Sequence, residues 1–145
     1  GVELAVQHFF GESGFGIQGN YTIVNGDIGY NNASPTSITQ FALTGLSDTA
    51  NLVLMYENDA IQARIAYNWR DEYLAGYTSS NPTYVEDYAQ IDMNVSYAVT
   101  ENITLSFEGL NLTGEDSRAY GRSELLVWNM YDLGPRYQLG ARYDF

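Results

Sequence analysis

Apolar and polar residues alternate along most of this chain. Val2, Leu4 and Val6 are interleaved with Glu3, Ala5 and Gln7, and Phe15, Ile17, Gly19, Tyr21 and Ile23 with Gly16, Gln18, Asn20 and Thr22. Leu52, Leu54 and Tyr56 alternate with Asn51, Val53, Met55 and Glu57, and Ile61, Ala63, Ile65, Tyr67 and Trp69 with Gln62, Arg64, Ala66, Asn68 and Arg70. The rhythm returns from Ala89 to Val99 and from Ile103 to Phe107. In the closing RYQLGARYDF, Tyr137, Leu139, Ala141, Tyr143 and Phe145 share one side and Arg136, Gln138, Gly140, Arg142 and Asp144 the other. Successive side chains of a strand point to opposite faces, so a period of two predicts strands that are apolar on one face only. No stretch holds the spacing of a helix. The expected fold is all-β: an antiparallel up-and-down meander of about seven strands in one unit over residues 1–145.

The connections alternate in length. Tight turns are expected near Gly11–Gly14, Asn58–Asp59 and Thr100–Asn102, and longer loops over Asn25–Thr44, Asp71–Tyr84 and Thr113–Glu124. Short turns at one end and long loops at the other are the layout of a transmembrane β-barrel. Aromatic residues fall at strand ends: Tyr56, Tyr97, Tyr143 and Phe145 beside the turns or terminus, Tyr67, Trp69 and Tyr73 toward the loops. The two interfaces of a bilayer favour such belts. A two-residue turn at Asn58–Asp59 sets Tyr56 opposite Ile61, Leu54 opposite Ala63 and Leu52 opposite Ile65. The turn at Thr100–Asn102 sets Val99 opposite Ile103, Tyr97 opposite Leu105 and Val95 opposite Phe107, so apolar meets apolar in both hairpins. The last strand reads as one run from Leu125 to Phe145, longer than the roughly 9–11 residues that a crossing needs. An odd number of antiparallel strands leaves the termini at opposite ends, and an open edge in lipid exposes unpaired backbone groups at several kcal/mol each. These features predict the carboxyl-terminal part of a large barrel.

Composition removes several chemistries. Eighteen acidic residues against six basic ones give a net charge of −12, which repels nucleic acid. The basic residues are all Arg, and there is no Cys, so neither a disulfide framework nor a thiolate metal site is available. No run approaches the ~20 apolar residues of a spanning helix. Gly1 is not followed by a charged and then an apolar region, so no signal peptide is expected within the chain.

Against this background, particular stretches resemble a known family. GLSDTANLVLMYENDAIQARIAYNWRDEYL (residues 45–74), ITLSFEGLNLTGE (103–115) and GPRYQLGARYDF (134–145) resemble the last strands of TonB-dependent outer-membrane receptors. The likeness is closest to proteobacterial members often associated with carbohydrate uptake. VELAVQHFFGESGFGIQGNYTIV (2–24) resembles the hairpin before them. The resemblance implies the last seven strands of a ~22-stranded barrel with a plugged lumen, located in the bacterial outer membrane and importing a scarce ligand, an oligosaccharide or a siderophore. Its implied partners are membrane lipid, the rest of the barrel and its plug, and the barrel assembly machinery, with the TonB complex engaged only indirectly through a segment this chain lacks. It implies that Tyr137, Leu139, Tyr143 and Phe145 form the terminal signal that the assembly machinery reads. Leu52, Leu54, Ile65, Ile91, Val95 and Leu105 are expected to face lipid. Arg64, Arg70, Asp92, Glu108, Arg136 and Arg142 are expected to line the lumen.

Catalytic motifs fail on inspection. GFGIQG (14–19) spells a dinucleotide fingerprint but leads into a strand period instead of a helix. GESG (11–14) lacks the final Gly of a nucleophile elbow, since position 15 is Phe. His8 is the one histidine, beside a turn. The doublets Asp71–Glu72, Glu86–Asp87 and Glu115–Asp116 point to opposite faces of an extended chain, which suits solvated loops better than acid/base catalysis. No enzyme activity, cofactor or metal is expected. The sequons at Asn20, Asn32, Asn94, Asn102 and Asn111 are by-products of strands rich in Asn and Thr. Tyr77, Tyr84 and Tyr120 are candidates for stacking on sugar rings. Two rival readings stand beside the receptor: a free-standing small outer-membrane barrel with a structural or adhesive role, and a soluble β-sandwich carbohydrate-binding module in which a second sheet covers Leu52, Leu54, Ile65 and Val95.

Overall fold

The computed structural model describes residues 1–78 and 80–145. It contains eleven strands: β1 (Val2–Phe9), β2 (Phe15–Ile23), β3 (Thr49–Glu57), β4 (Ile61–Arg70), β5 (Tyr73–Thr78), β6 (Asn81–Val85), β7 (Tyr88–Thr100), β8 (Ile103–Leu110), β9 (Ser117–Tyr120), β10 (Val127–Tyr131) and β11 (Arg136–Tyr143). There is no helix among the described residues. A large sheet has the order β1-β2-β3-β4-β7-β8-β11 and a small one the order β10-β9-β6-β5. All pairings are antiparallel. The seven stretches of alternation are the seven strands of the large sheet, met in chain order from one edge to the other.

The small sheet corrects the expectation of long loops. Its order β5-β6-β9-β10 repeats that of β4-β7-β8-β11 in the large sheet. Each small strand is therefore the continuation of a large-sheet strand past a short break: Asp71–Glu72, Glu86–Asp87, residues 111–116 and residues 132–135. The segments Asp71–Tyr84 and Thr113–Glu124 are largely hairpin arms. The single run expected from Leu125 to Phe145 is likewise split into β10 and β11. Gly134 takes a left-handed φ of +49°, and Pro135 after it donates no backbone hydrogen bond. The large-sheet strands run from 8 residues in β1, β8 and β11 to 13 in β7.

Registers depart from the sequence reading in one hairpin and one bulge. Leu54 faces Ile65, Tyr56 faces Ala63 and Leu52 faces Tyr67, a shift of two residues from the expected pairing. The cause is the Asn58 side chain, whose Oδ1 accepts the N–H groups of Ala60 (3.0 Å) and Ile61 (2.7 Å). This side-chain turn makes Asp59–Ala60 the corner. An even shift preserves the faces. In the β7–β8 hairpin, Tyr97 pairs with Leu105 and Val95 with Phe107 as expected, whereas a bulge beyond Ala98 sets Thr100, not Val99, opposite Ile103.

Burial is sparse. The buried hydrophobic side chains are Ala42, Val53, Ala119 and Tyr120, with Pro82 the largest side chain wholly enclosed. Most of these lie in or beside the small sheet, so the large sheet has no core of its own between layers. At the junction of the sheets Asn111 is buried at 3 % exposure with a left-handed φ of +53°. Its N–H donates to Asp92 Oδ1 (2.9 Å), and its Nδ2 donates to the carbonyls of Glu115 (2.9 Å) and Gly134 (3.3 Å). Its Oδ1 accepts the Glu115 N–H (2.9 Å) and the Thr113 hydroxyl (3.2 Å). One side chain thus ties the exit of β8 to the entry of β11. Asn111→Ala should lower unfolding stability by about 1–3 kcal/mol, because buried donors and acceptors lose partners. Asn111→Gly should lose less, since it accepts the positive φ. Denaturant titration of both variants measures the difference, and equal losses would show that backbone conformation contributes nothing there.

Candidate functional site: a two-faced sheet and a cluster at its loop end

Two rows of paired positions cross six strands of the large sheet, from β2 to β11. Phe15, Tyr56, Ala63, Val95, Phe107 and Leu139 form one row, each paired with the next. Ile17, Leu54, Ile65, Met93, Gly109 and Tyr137 form its neighbour. This face carries no Asp, Glu or Arg in any of the seven strands. It is also uncovered: Leu54 is 50 % exposed, Ile65 45 % and Leu139 83 %. Leu52 and Leu105 are exposed, while Ile91 and Val95 are half-buried between their strand neighbours. The small sheet does not lie over Leu52, Leu54 or Ile65.

Aromatic pairs border the apolar face at both ends. Beside the turns, Phe15 and Tyr56 have ring centroids 4.7 Å apart, and Tyr143 and Phe145 meet edge to face at 4.9 Å. Toward the loops, Tyr21 and Trp69 lie nearly parallel at 6.5 Å, while Phe107, midway along β8, stacks with Tyr137 at 6.2 Å. Tyr137, Leu139, Tyr143 and Phe145 are all strongly exposed on the outermost strand or just past it.

The opposite face holds all the charge of the large sheet. Arg64, Asn94, Glu108 and Gln138 form one cross-strand row. Asp92 on the same face accepts from Gln90 Nε2 (2.6 Å), and Arg142 pairs with Asp144 (2.8 Å). Arg70 lies over the Tyr73 ring at 3.5 Å, and Arg136 sits opposite Leu110. The six residues expected on a polar surface therefore share one face, but they make no compact constellation. Shallow grooves cross it, one of 480 Å³ bordered by Gln62, Ser96, Thr104, Ser106 and Arg142. Phe9, Val53, Met55 and Leu110 interrupt this polarity; the alternation in β3 already set Val53 and Met55 on this side.

The loop end holds a second arrangement. Arg122 Nη1 donates to the carbonyls of Asn32 and Ser34 (both 2.7 Å), and its Nη2 donates to the Ser80 carbonyl (2.9 Å) and the Tyr30 hydroxyl oxygen (3.2 Å). This clamps the segment between β2 and β3 onto the small sheet. Tyr30 also meets Tyr77 in a tilted arrangement, ring centroids 5.9 Å apart. Tyr84 and Tyr120 stack at 5.4 Å, and the Tyr120 hydroxyl donates to Glu72. Burial first, then the Glu72 carboxylate, pushes the Tyr120 phenol well above its usual 10.0. Burial also raises Tyr84, opposed in part by its hydrogen bond to Asn32. Of the three tyrosines considered for stacking on sugars, Tyr120 is corrected: at 6 % exposure it is packing, not a platform. Arg122 and Tyr30 escaped the sequence reading because their partners are 42 to 92 residues away.

The sequence look-alikes resolve structurally. GFGIQG spans the end of the β1–β2 turn and the start of β2, and Ser13 Oγ accepts the Phe15 N–H (3.2 Å) within that turn. The His8 ring meets Phe10 at 4.8 Å. Glu86 is paired with Arg118. Among the described residues, no three His, Cys, Asp or Glu side chains are placed to hold a metal ion. No helix among them is long and apolar enough to cross a membrane. No family model, no curated protein and no solved structure matches the chain.

The raised Tyr120 and Tyr84 phenols set a pH dependence. A group whose proton is held more tightly in the folded state contributes fully below its unfolded value and loses that contribution as pH rises above it. Stability should therefore hold up to about pH 10 and fall beyond it. In Tyr120→Phe the alkaline decline should be shallower. Unfolding measured at a series of alkaline pH values, with phenolate absorbance followed in parallel, checks this; an unchanged decline would remove Tyr120 as its source.

Proposed function

We propose that this chain is part of the wall of an outer-membrane β-barrel of the TonB-dependent receptor type, serving energy-coupled uptake of a scarce ligand and performing no catalysis of its own. The observation that carries the reading is the charge-free, uncovered apolar face, bordered by aromatic pairs and backed by a face that holds every charge. In water such a single-layer sheet leaves its apolar surface hydrated, and hydrophobic burial is the main term that offsets chain entropy. Hydrocarbon tails resolve the conflict, because they accept the apolar side chains while the antiparallel ladder satisfies the backbone. Strands of 8 to 13 residues fit a tilted crossing of about 9–11 residues.

The open edges support a piece of a larger wall. β1 and β11 each pair on one side only. With seven strands in strict up-and-down order, β1 and β11 run in the same direction. Joining them directly would make a parallel seam, so antiparallel closure requires an odd number of further strands. The polar face, with Arg64, Arg70, Asp92, Glu108, Arg136 and Arg142, then lines the enclosed passage. Leu52, Leu54, Ile65, Ile91, Val95 and Leu105 touch lipid. The exposed aromatic series on β11, ending at Phe145, fits the role of an assembly signal. The soluble sandwich reading loses its main requirement, since Leu52, Leu54 and Ile65 lie uncovered.

The absence of Cys makes single-cysteine labelling a direct test in membranes that contain the intact protein. Cysteine at Leu54, Ile65 or Val95 should react only with a lipid-soluble maleimide, and cysteine at Asn94 or Ser96 with a charged, water-soluble one. The reverse pattern would sink the membrane reading. Leu54→Arg should cost about 2–4 kcal/mol if it lies near mid-membrane, whereas Asn94→Ala should cost little. Equal losses in urea-induced unfolding would invalidate the assigned faces.

A further inference from the structure

One cleft at the loop end is built differently from the rest of the surface. It encloses 390 Å³ and is bordered by Thr78, Asn81, Thr83 and Trp128. Thr78 pairs with Asn81 across the β5–β6 hairpin, and Thr83 follows two residues on, so the three polar side chains share one face. Thr83 stands opposite Gly76, where a Cβ would meet open space. The floor beside Thr83 is therefore unobstructed.

Trp128 is fixed in place by three features. It occupies the register shift between Val127 and Asn129, and a bulge re-aims the side chain it carries. Its Nε1 donates to the carbonyl of Pro82 (3.3 Å). Its ring lies against Gly121, where an added Cβ would come within 3.0 Å of Nε1 and 3.2 Å of Cε2. The indole is thus held by a bulge, a hydrogen bond and a glycine, yet 49 % of the residue stays exposed. A large aromatic surface held in one orientation and left open costs little ordering when something stacks on it.

We propose that this cleft is a binding subsite for a neutral saccharide, with Trp128 as the stacking platform. A pyranose presents a flat C–H face that suits an aromatic ring, and hydroxyl groups around its rim that need short polar partners. Thr78, Asn81 and Thr83 supply both donors and acceptors. No charged residue borders the cleft, and the chain carries a net charge of −12. Uronic acids, sulfated sugars and carboxylate-rich chelators are therefore disfavoured. The subsite rests on the receptor reading only for the side of the membrane on which it opens; cysteine labelling tests that reading separately.

The test is isothermal titration of the intact protein in detergent with neutral malto-, cello-, xylo- and laminari-hexaoses and with an acidic oligouronate. At least one neutral hexaose should bind, and the oligouronate should bind more weakly. Trp128→Ala should weaken binding roughly tenfold, and Trp128→Phe less, as expected for loss of most or part of a stacking surface. Tyr131→Ala, an exposed aromatic outside the cleft, should leave affinity unchanged. Circular dichroism of each variant confirms that the sheets form. Failure of every neutral sugar to bind, stronger binding of the oligouronate, or binding indifferent to both Trp128 variants would each overturn the proposal.

Discussion

The antiparallel backbone ladder of the large sheet is the constraint from which the other features follow. It fixes side chains at a period of two, and the sequence places every charge on one side of that period. The ladder satisfies backbone groups within the sheet from β2 to β8, leaving only the outer edges of β1 and β11 without neighbours. It therefore removes the backbone obstacle to an apolar environment without supplying a second layer. Stability must then come from whatever meets the apolar face. The ladder decides the architecture, and the surroundings decide whether it persists.

The small sheet solves a different problem. Its strands pass beyond the region where one face is purely apolar, and it buries what the large sheet does not: Pro82, Ala119 and Tyr120. The transition is marked by acids. Asp71 and Glu72, Glu86 and Asp87, Glu115 and Asp116, and Asp132 all fall in the breaks between paired strands. Some have structural partners, as in Glu86 with Arg118 and Glu72 with Tyr120. Charge thus sits at the junction of the two sheets, between the paired segments.

The sequence revealed the large sheet well and the small one hardly at all. Each large strand is long enough to show several cycles of alternation, and the even register shift at Asn58 left its faces intact. The small strands are four to six residues long, and two of their pairings contain bulges. A bulge breaks the two-residue rhythm at the point where it would be read. Pro82 within β6 also argues locally against a strand. VWNMY in β10 is apolar on both sides, so it merged into the following strand. The terminal aromatics and the polar set were legible because they depend on parity alone. Arg122, Asn111 and Trp128 were not, because their roles depend on partners from other hairpins.

The shared lateral order of the two sheets has a consequence for how such a protein diversifies. Each break between a large strand and its extension absorbs changes in length or register without passing them down the ladder. Insertions, deletions and altered bulges at the distal tips leave the lower pairing untouched. Side chains at the distal tips can thereby change without disturbing the pairing of the lower ladder.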